Sequence, residues 1–417
     1  AHAIKPGKII QVQKIDSLYE KWTLSNGMEV FVKPTQFKND QVLYKAYSTG
    51  GSSLLPDDKV ILTRVFSSIV DESGIGQFNG VDLEKKLAGK AANLTPFLNN
   101  LQQGFKGNAS PKDLETLFKL QYLFFTSPRQ DKSIFQKVIT NQENLIKHLS
   151  ANPRMVFYDS LSRVVTSHSP RSIVVPTEAQ IKSIRQADIY SVYKKQFQHA
   201  AGYKIFLVGN INTQKLKPLV EKYLAGIPTG ENLSWKDVSS VFPKGVTNVD
   251  VFKGSAPQSQ VVIVMKGKYR YSPENNLIMN ALVQSLNIAL REKVREEESG
   301  TYGIYVSPTL RKYPKGKYTL MIGFGCSPKN VDKLVKSVFG VIKKVRAEGP
   351  NDMTLKKVKE TFKRSRETSE RENSFWLNQL ENSSFYGTKI MSAKEYDAAV
   401  GDITVEKIKK AAKKYLK

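Results

Sequence analysis

Residues 108–146 read NASPKDLETLFKLQYLFFTSPRQDKSIFQKVITNQENLI, and residues 325–363 read GCSPKNVDKLVKSVFGVIKKVRAEGPNDMTLKKVKETFK. Ser110-Pro111-Lys112 lies over Ser327-Pro328-Lys329 without a gap, and the apolar positions that follow agree. In each copy a strand (LQQGFKGN; YTLMIGFG) leads into Ser-Pro, which opens an amphipathic helix. A Pro-marked break and a second helix come next. Self-similarity over a span this long predicts two domains of one design.

The parallel extends outward in both directions. ADIYSVYKKQF (187–197) matches GDITVEKIKKAAKKYLK (401–417), each read as an N-capped helix led in by Asp-Ile. In the first copy a strand, YKIFLVGNI, and a helix, TQKLKPLVEKYLAGIP, follow; in the second the given residues stop, so a final strand was either trimmed or lies further on. Toward the N-terminus, WTLSNGMEVFVKP and QVLYKAYSTGG alternate as strands, with Asn26-Gly27 as a tight turn. NVDVFKGSAPQSQVVIVMKG is expected to start the second copy in the same extended manner, after a polar linker at 227–245. The reading is an α+β protein of two tandem homologous domains, 1–230 and 231–417, each a mainly antiparallel sheet with helices packed on one face.

Composition bounds what such a chain can do. With 417 residues, 40% hydrophobic and 24% charged, it matches ordinary globular proteins and can bury a large core. The longest apolar runs are strand-length, too short for a bilayer span. No signal peptide is visible, and the opening AHAIKPGKIIQVQKID reads as cut from something longer. A formal charge of +26 raises a nucleic-acid reading. The lysines, however, are spread along the chain at helical spacing with glutamates, as in LEKKLAGK, which describes a solvated surface rather than a phosphate-tracking groove. No nucleic-acid partner is expected.

Catalytic constellations are missing from the residues themselves. His2, His148, His168 and His199 include no H-x-x-E-H or H-E-x-x-H pair, so no helix presents two imidazoles to a metal. There is no G-x-S-x-G elbow and no Walker loop. The single cysteine, Cys326, excludes an internal disulfide and sits at an apolar strand end as a small buried filler. TGGSS at 49–53 is Gly-rich without the pattern of a phosphate cradle.

LSNGMEVFVKPT, a strand, GGSSLLPDD and a helix in succession resemble the start of a peptidase domain of the pitrilysin (insulinase) family. In active members the helix carries H-x-x-E-H. Counted from Gly51-Ser52, those positions fall on Arg64, Ser67 and Ser68 of ILTRVFSSIVDESG, so the resemblance implies a degenerate zinc motif, and the third ligand position falls near Glu143 or Asn144. The SPKDLETLFKL, NPR, KPLVEKYLAGIP and SFWLNQL segments are similar to the degenerate C-terminal half of bacterial two-half zinc proteases. That half contributes an arginine and a tyrosine seven apart, and REEESGTYG (295–303) places Arg295 and Tyr302 at that spacing in the second domain.

The resemblance therefore implies a substrate-binding, non-catalytic half of a zinc metalloendopeptidase, inactive as this chain alone. Arg295 and Tyr302 would contact peptide substrates near the scissile bond. No metal is expected on this chain; zinc belongs to an H-x-x-E-H partner half, on the same precursor or a separate chain, and the cell envelope is favoured over the cytoplasm. Arg291, one turn before Arg295, is either a second contact or a solvated charge. Two alternatives stand beside this reading. Arg295 and Tyr302 read structurally are a helix-end cation and a half-buried strand tyrosine, and the chain read without substrate is a scaffold or assembly subunit.

Overall fold

A computed structural model describes residues 4–297, 301 and 303–417, with the side chains of 295–297 outside the described set. The first half runs β1 (Ile9–Ile15), β2 (Tyr19–Leu24), β3 (Glu29–Pro34), β4 (Val42–Thr49), α1 (Phe66–Glu72), α2 (Gly80–Leu87), β5 (Ala92–Leu98), β6 (Gln102–Ala109), α3 (Leu114–Thr126), α4 (Lys132–Ala151), α5 (Pro153–Val165), α6 (Glu178–Lys182), α7 (Gln186–Phe197), β7 (Lys204–Gly209) and α8 (Thr213–Leu219). The second runs β8 (Ser259–Lys268), α9 (Pro273–Leu290), β9 (Ile304–Arg311), β10 (Lys317–Cys326), α10 (Val331–Glu348), α11 (Asp352–Ser369), α12 (Asn373–Tyr386), α13 (Ala393–Gly401) and α14 (Val405–Tyr415).

Two sheets result, in the order β1-β2-β3-β7-β4-β6-β5 and β8-β10-β9. All pairs are antiparallel except β3 with β7. The order β8-β10-β9 repeats that of β4-β6-β5, and both Ser-Pro pairs open through a 3-10 turn into the long helices α3 and α10. Asn26-Gly27 makes the expected tight turn, with Gly27 at φ +88°.

Each sheet has its own apolar core. Trp22, Val30, Phe105, Phe118 and Leu207 are among the buried residues of the first; Leu282, Leu320, Ile322, Val338 and Ile408 belong to the second. Alternation along the strands decides which residues enter them. On β4, Tyr44 points to the helical side and donates to Gln121 of α3 (2.9 Å), while Lys45 points to the other side.

That other side is also covered, which the sequence pattern does not announce. The chain forms two compact units that are discontinuous along it: residues 1–151, 173–238 and 370–385, and residues 152–172, 239–369 and 386–417. The third long helix of each half is thereby exchanged, α12 joining the first unit and α5 the second. In the first unit α12 lies on the face opposite α3. Trp376 receives the Lys33 ammonium 4.1 Å from its ring, Glu381 pairs with Lys45, and Phe385 meets Tyr47 edge-on.

Two local expectations are corrected. NVDVFKGSAP does not form a strand; regular structure resumes only at Ser259. In the first half β3 is held in the sheet by β7, which lies between it and β4. Residues 248–254 have no such neighbour among the described residues, and a lone extended segment is not stable. The Asp-Ile of the α7 stretch also lies within the helix, at positions 188–189, rather than ahead of it as at Asp402-Ile403. There Asp188 is held by Arg185 and Lys59.

Candidate functional site

Two places invite attention: the helix where the zinc motif would stand, and the stretch between α9 and β9.

The first begins at the TGGSS turn. Gly51 has φ +61°, and a Cβ there would meet the Asn99 carbonyl oxygen at 2.4 Å, so only glycine fits. The Gly51 N–H donates to Gln103 Oε1 (2.6 Å), and the Ser52 N–H to the Asn99 carbonyl (2.7 Å). The turn's backbone donors are thus consumed within the fold. A 3-10 segment, Asp57–Arg64, then precedes α1. Arg64 consequently stands on a different element from Ser67 and Ser68, and its guanidinium donates to the Val174 carbonyl. Phe66, Ile69 and Val70 bury the inner side of α1, which leaves Ser67 half-buried and Ser68 exposed.

A guanidinium carries no lone pair for a metal, and two hydroxyls are poor zinc ligands. Glu143 is half-buried and Asn144 exposed on α4. The donor set at these positions does not fit zinc. No group of three or more His, Cys, Asp or Glu side chains able to hold a metal occurs among the described residues. His148 is exposed on α4, His168 takes a left-handed backbone (φ +57°), and His199 Nε2 lies 3.1 Å from the Lys195 carbonyl oxygen. His2 lies outside the described residues. Cys326 is buried, and burial pushes its thiol up, away from the thiolate form a nucleophile needs.

Helix α1 does carry a perturbed acid. Asp71 is pushed up to about 6, by burial first and by the neighbouring Glu72 charge second. Two residues on, Ser73 Oγ lies 3.2 Å from the Tyr190 hydroxyl, which donates to the Arg129 carbonyl (2.7 Å).

The second place is built by α9. This helix is strongly apolar, burying Leu282, Val283, Leu286 and Leu290, and it continues as a π-helical turn, Arg291–Glu297, pinned by the buried Val294. Arg291 is exposed, and Arg295 follows Val294 on this turn. Tyr302 lies outside the described residues.

What can be described is how the flanks are fixed. Thr301, only 8% exposed, donates its hydroxyl to the Gly325 carbonyl (2.6 Å) and accepts from the Gly303 N–H (3.2 Å). Asn287 reaches from α9 to Val306: its Oδ1 accepts the Val306 N–H (2.8 Å) and its Nδ2 donates to the Val306 carbonyl (3.4 Å). Both anchors went unnoticed in the sequence, although a polar residue within the apolar LVQSLNIAL run was the available signal.

The Asn287 clamp has a second effect. β9 is an edge strand, with Val306 opposite Ile322 and Pro308 opposite Leu320 on β10. Since Asn287 takes both backbone groups of Val306, these point outward, and Pro308, two residues on, has the same orientation but no N–H to offer. At 306–308 the edge is therefore closed to a further strand.

Comparison with known proteins follows the same lines. Residues 183–362 match the family described as the peptidase M16 inactive domain. The probable zinc protease PqqL of Haemophilus influenzae is 24% identical over 347 residues, covering 82% of this chain and 36% of that protein. The crystal structure of the periplasmic protease PqqL from Escherichia coli superposes with a TM-score of 0.87 at 21% identity, over 100% of this chain and 46% of the other. A peptidase M16 inactive domain from Pseudomonas fluorescens gives a TM-score of 0.77 at 16% identity, over 98% and 96%. The chain thus spans less than half the length of the PqqL proteins. It is homologous to the PqqL zinc proteases, and its residues 183–362 match the peptidase M16 inactive domain.

Proposed function

We propose that this chain is the substrate-binding, non-catalytic half of a zinc metalloendopeptidase, with 1–230 and 231–417 as its two tandem domains. The observation that carries the reading is a contrast within one chain. At the positions the resemblance assigns to the zinc motif stand Arg64, Ser67 and Ser68, whereas Arg295 and Tyr302 keep the family spacing in a stretch that contains Thr301, bonded to Gly325, and is flanked by Asn287, bonded to Val306. A scaffold needs neither the pair nor the anchoring.

The zinc-bearing H-x-x-E-H half supplies the hydrolytic chemistry. This chain's part is to bind and orient the peptide. The Tyr302 hydroxyl donates to the scissile carbonyl oxygen as negative charge develops there, and the Arg295 guanidinium holds an adjacent carbonyl in register. Closure of the β9 edge at 306–308 favours capture by these side chains over strand addition at that point. The periplasmic setting of the E. coli relative favours the cell envelope for this chain as well.

The test is reconstitution of the complete enzyme with a quenched flexible peptide. This chain alone is expected to be inactive, with activity appearing when the zinc half is present. Tyr302→Phe should then lower turnover on the order of 10²–10³-fold, as removal of an oxyanion donor does elsewhere. Unchanged turnover in both Tyr302→Phe and Arg295→Gln would leave the assembly-subunit reading in its place.

A further inference from the structure

Positive charge is not evenly shared between the two compact units. The second holds 35 of the 64 Lys and Arg but only 16 of the 38 Asp and Glu, which is +19 of the formal +26. Within it, α10 and α14 pack side by side, and both turn their apolar faces into the second core through Leu334, Val338, Ile342, Ile408 and Ala412. What remains outward is a lysine field. Lys333, Lys336, Lys343 and Lys344 on α10, and Lys407, Lys410, Lys413, Lys414 and Lys417 on or just beyond α14, are all exposed. The acids of these two helices, Asp332, Glu348 and Glu406, stand at helix ends.

Helix-dipole compensation accounts for Lys413 and Lys414, which lie in the last turn of α14. It does not account for Lys336 and Lys343, in the body of α10. Between those two, three residues from one and four from the other, sits Phe339, 49% exposed on the same outer side. An apolar ring framed by flexible ammonium groups on a two-helix face is the arrangement that meets anionic headgroups, with lysines at headgroup level and the ring entering the acyl boundary. Duplex DNA asks instead for a groove that tracks phosphates and for arginine forks at the bases, and this face has neither.

We infer that the α10/α14 face is a docking surface for an anionic lipid bilayer, holding the protein peripherally. The attraction should add up over several lysines, and it should weaken as salt shortens the screening length to below about 10 Å.

The experiment is co-sedimentation of the full chain with vesicles containing phosphatidylglycerol, with pure phosphatidylcholine vesicles and with duplex DNA as parallel arms. Binding to the anionic vesicles only, lost at high salt, is expected. The quadruple variant Lys336→Glu, Lys343→Glu, Lys410→Glu, Lys414→Glu should lower vesicle affinity roughly tenfold or more. Equal reversal on the first unit, at the exposed Lys85, Lys86, Lys194 and Lys195, should lower it by no more than about threefold, since those charges lie off the proposed face. Phe339→Ser should weaken binding with less change in its salt dependence. Circular dichroism and thermal melting establish that each variant folds. Equal losses in the two quadruple variants, or tighter binding to DNA than to vesicles, would overturn the proposal.

Discussion

Asp71 illustrates what a single buried acid does on a short helix. Its carboxyl is raised to about 6, with burial the larger cause and the Glu72 charge the smaller. In the unfolded chain it titrates near about 3.9. The folded state therefore holds the proton more tightly, and stability associated with this group is full below about pH 4 and lost as pH rises through about 6. Asp71→Asn removes the charge without removing the shape. It should stabilise the protein at pH 7 by about 1–2 kcal/mol, short of the roughly 3 kcal/mol that two pK units represent, because the side chain is only partly shielded. The pH dependence of the melting temperature between about pH 4 and pH 7 should flatten in the variant. An unchanged profile would show that Asp71 is solvated in the folded state. None of this could be read in ILTRVFSSIVDESG, where Asp71 resembles any helix-surface acid; its shift arises first from burial, which that stretch does not show. The same applies to Thr301 and Asn287, whose bonds to Gly325 and Val306 belong to no motif. Arg295 and Tyr302, by contrast, come from the resemblance to the pitrilysin family, and Tyr302 lies outside the described residues.

At the scale of elements, the exchanged helix is the feature with the clearest energetic consequence. α12 comes from the second half yet buries Leu380 to 1% exposure on the first unit, where Lys45, itself largely covered, is paired with Glu381. Leu380→Ala should cost about 2–5 kcal/mol through lost burial and the cavity left behind. Glu381→Ala should cost about 1–3 kcal/mol by stranding the Lys45 ammonium on the sheet. Denaturant melts followed by a probe in the first unit would register both, and insensitivity of that unit to Leu380→Ala would mean that α12 contributes little to it. In the sequence SFWLNQL stood out only through the resemblance, with neither a helix nor the sheet that buries it named, since a segment's pattern does not specify its partner. The Ser-Pro helices were easier because each repeats with the strand before it. NVDVFKG failed for the complementary reason: β-propensity is a property of a segment, whereas a strand is a property of a pair, and its partner is not among the described residues.

For the whole molecule, the field set up by 64 basic against 38 acidic residues acts on any charged peptide that approaches, wherever the final contacts are made. If the chain binds substrate, net negative peptides should associate faster than neutral ones of equal length, and net positive peptides more slowly. The difference should lie mainly in the association rate, since steering acts before docking, while dissociation is governed by local contacts such as those assigned to Arg295 and Tyr302. Salt provides the internal control. Raising ionic strength from about 20 to about 300 mM shortens the screening length several-fold and should bring the three association rates together without equalising dissociation. Stopped-flow fluorescence with matched peptides of opposite charge makes the measurement. Equal association rates at low salt would mean that the lysine excess faces away from the substrate's approach, and the positive field would then serve contacts on the outer surface alone.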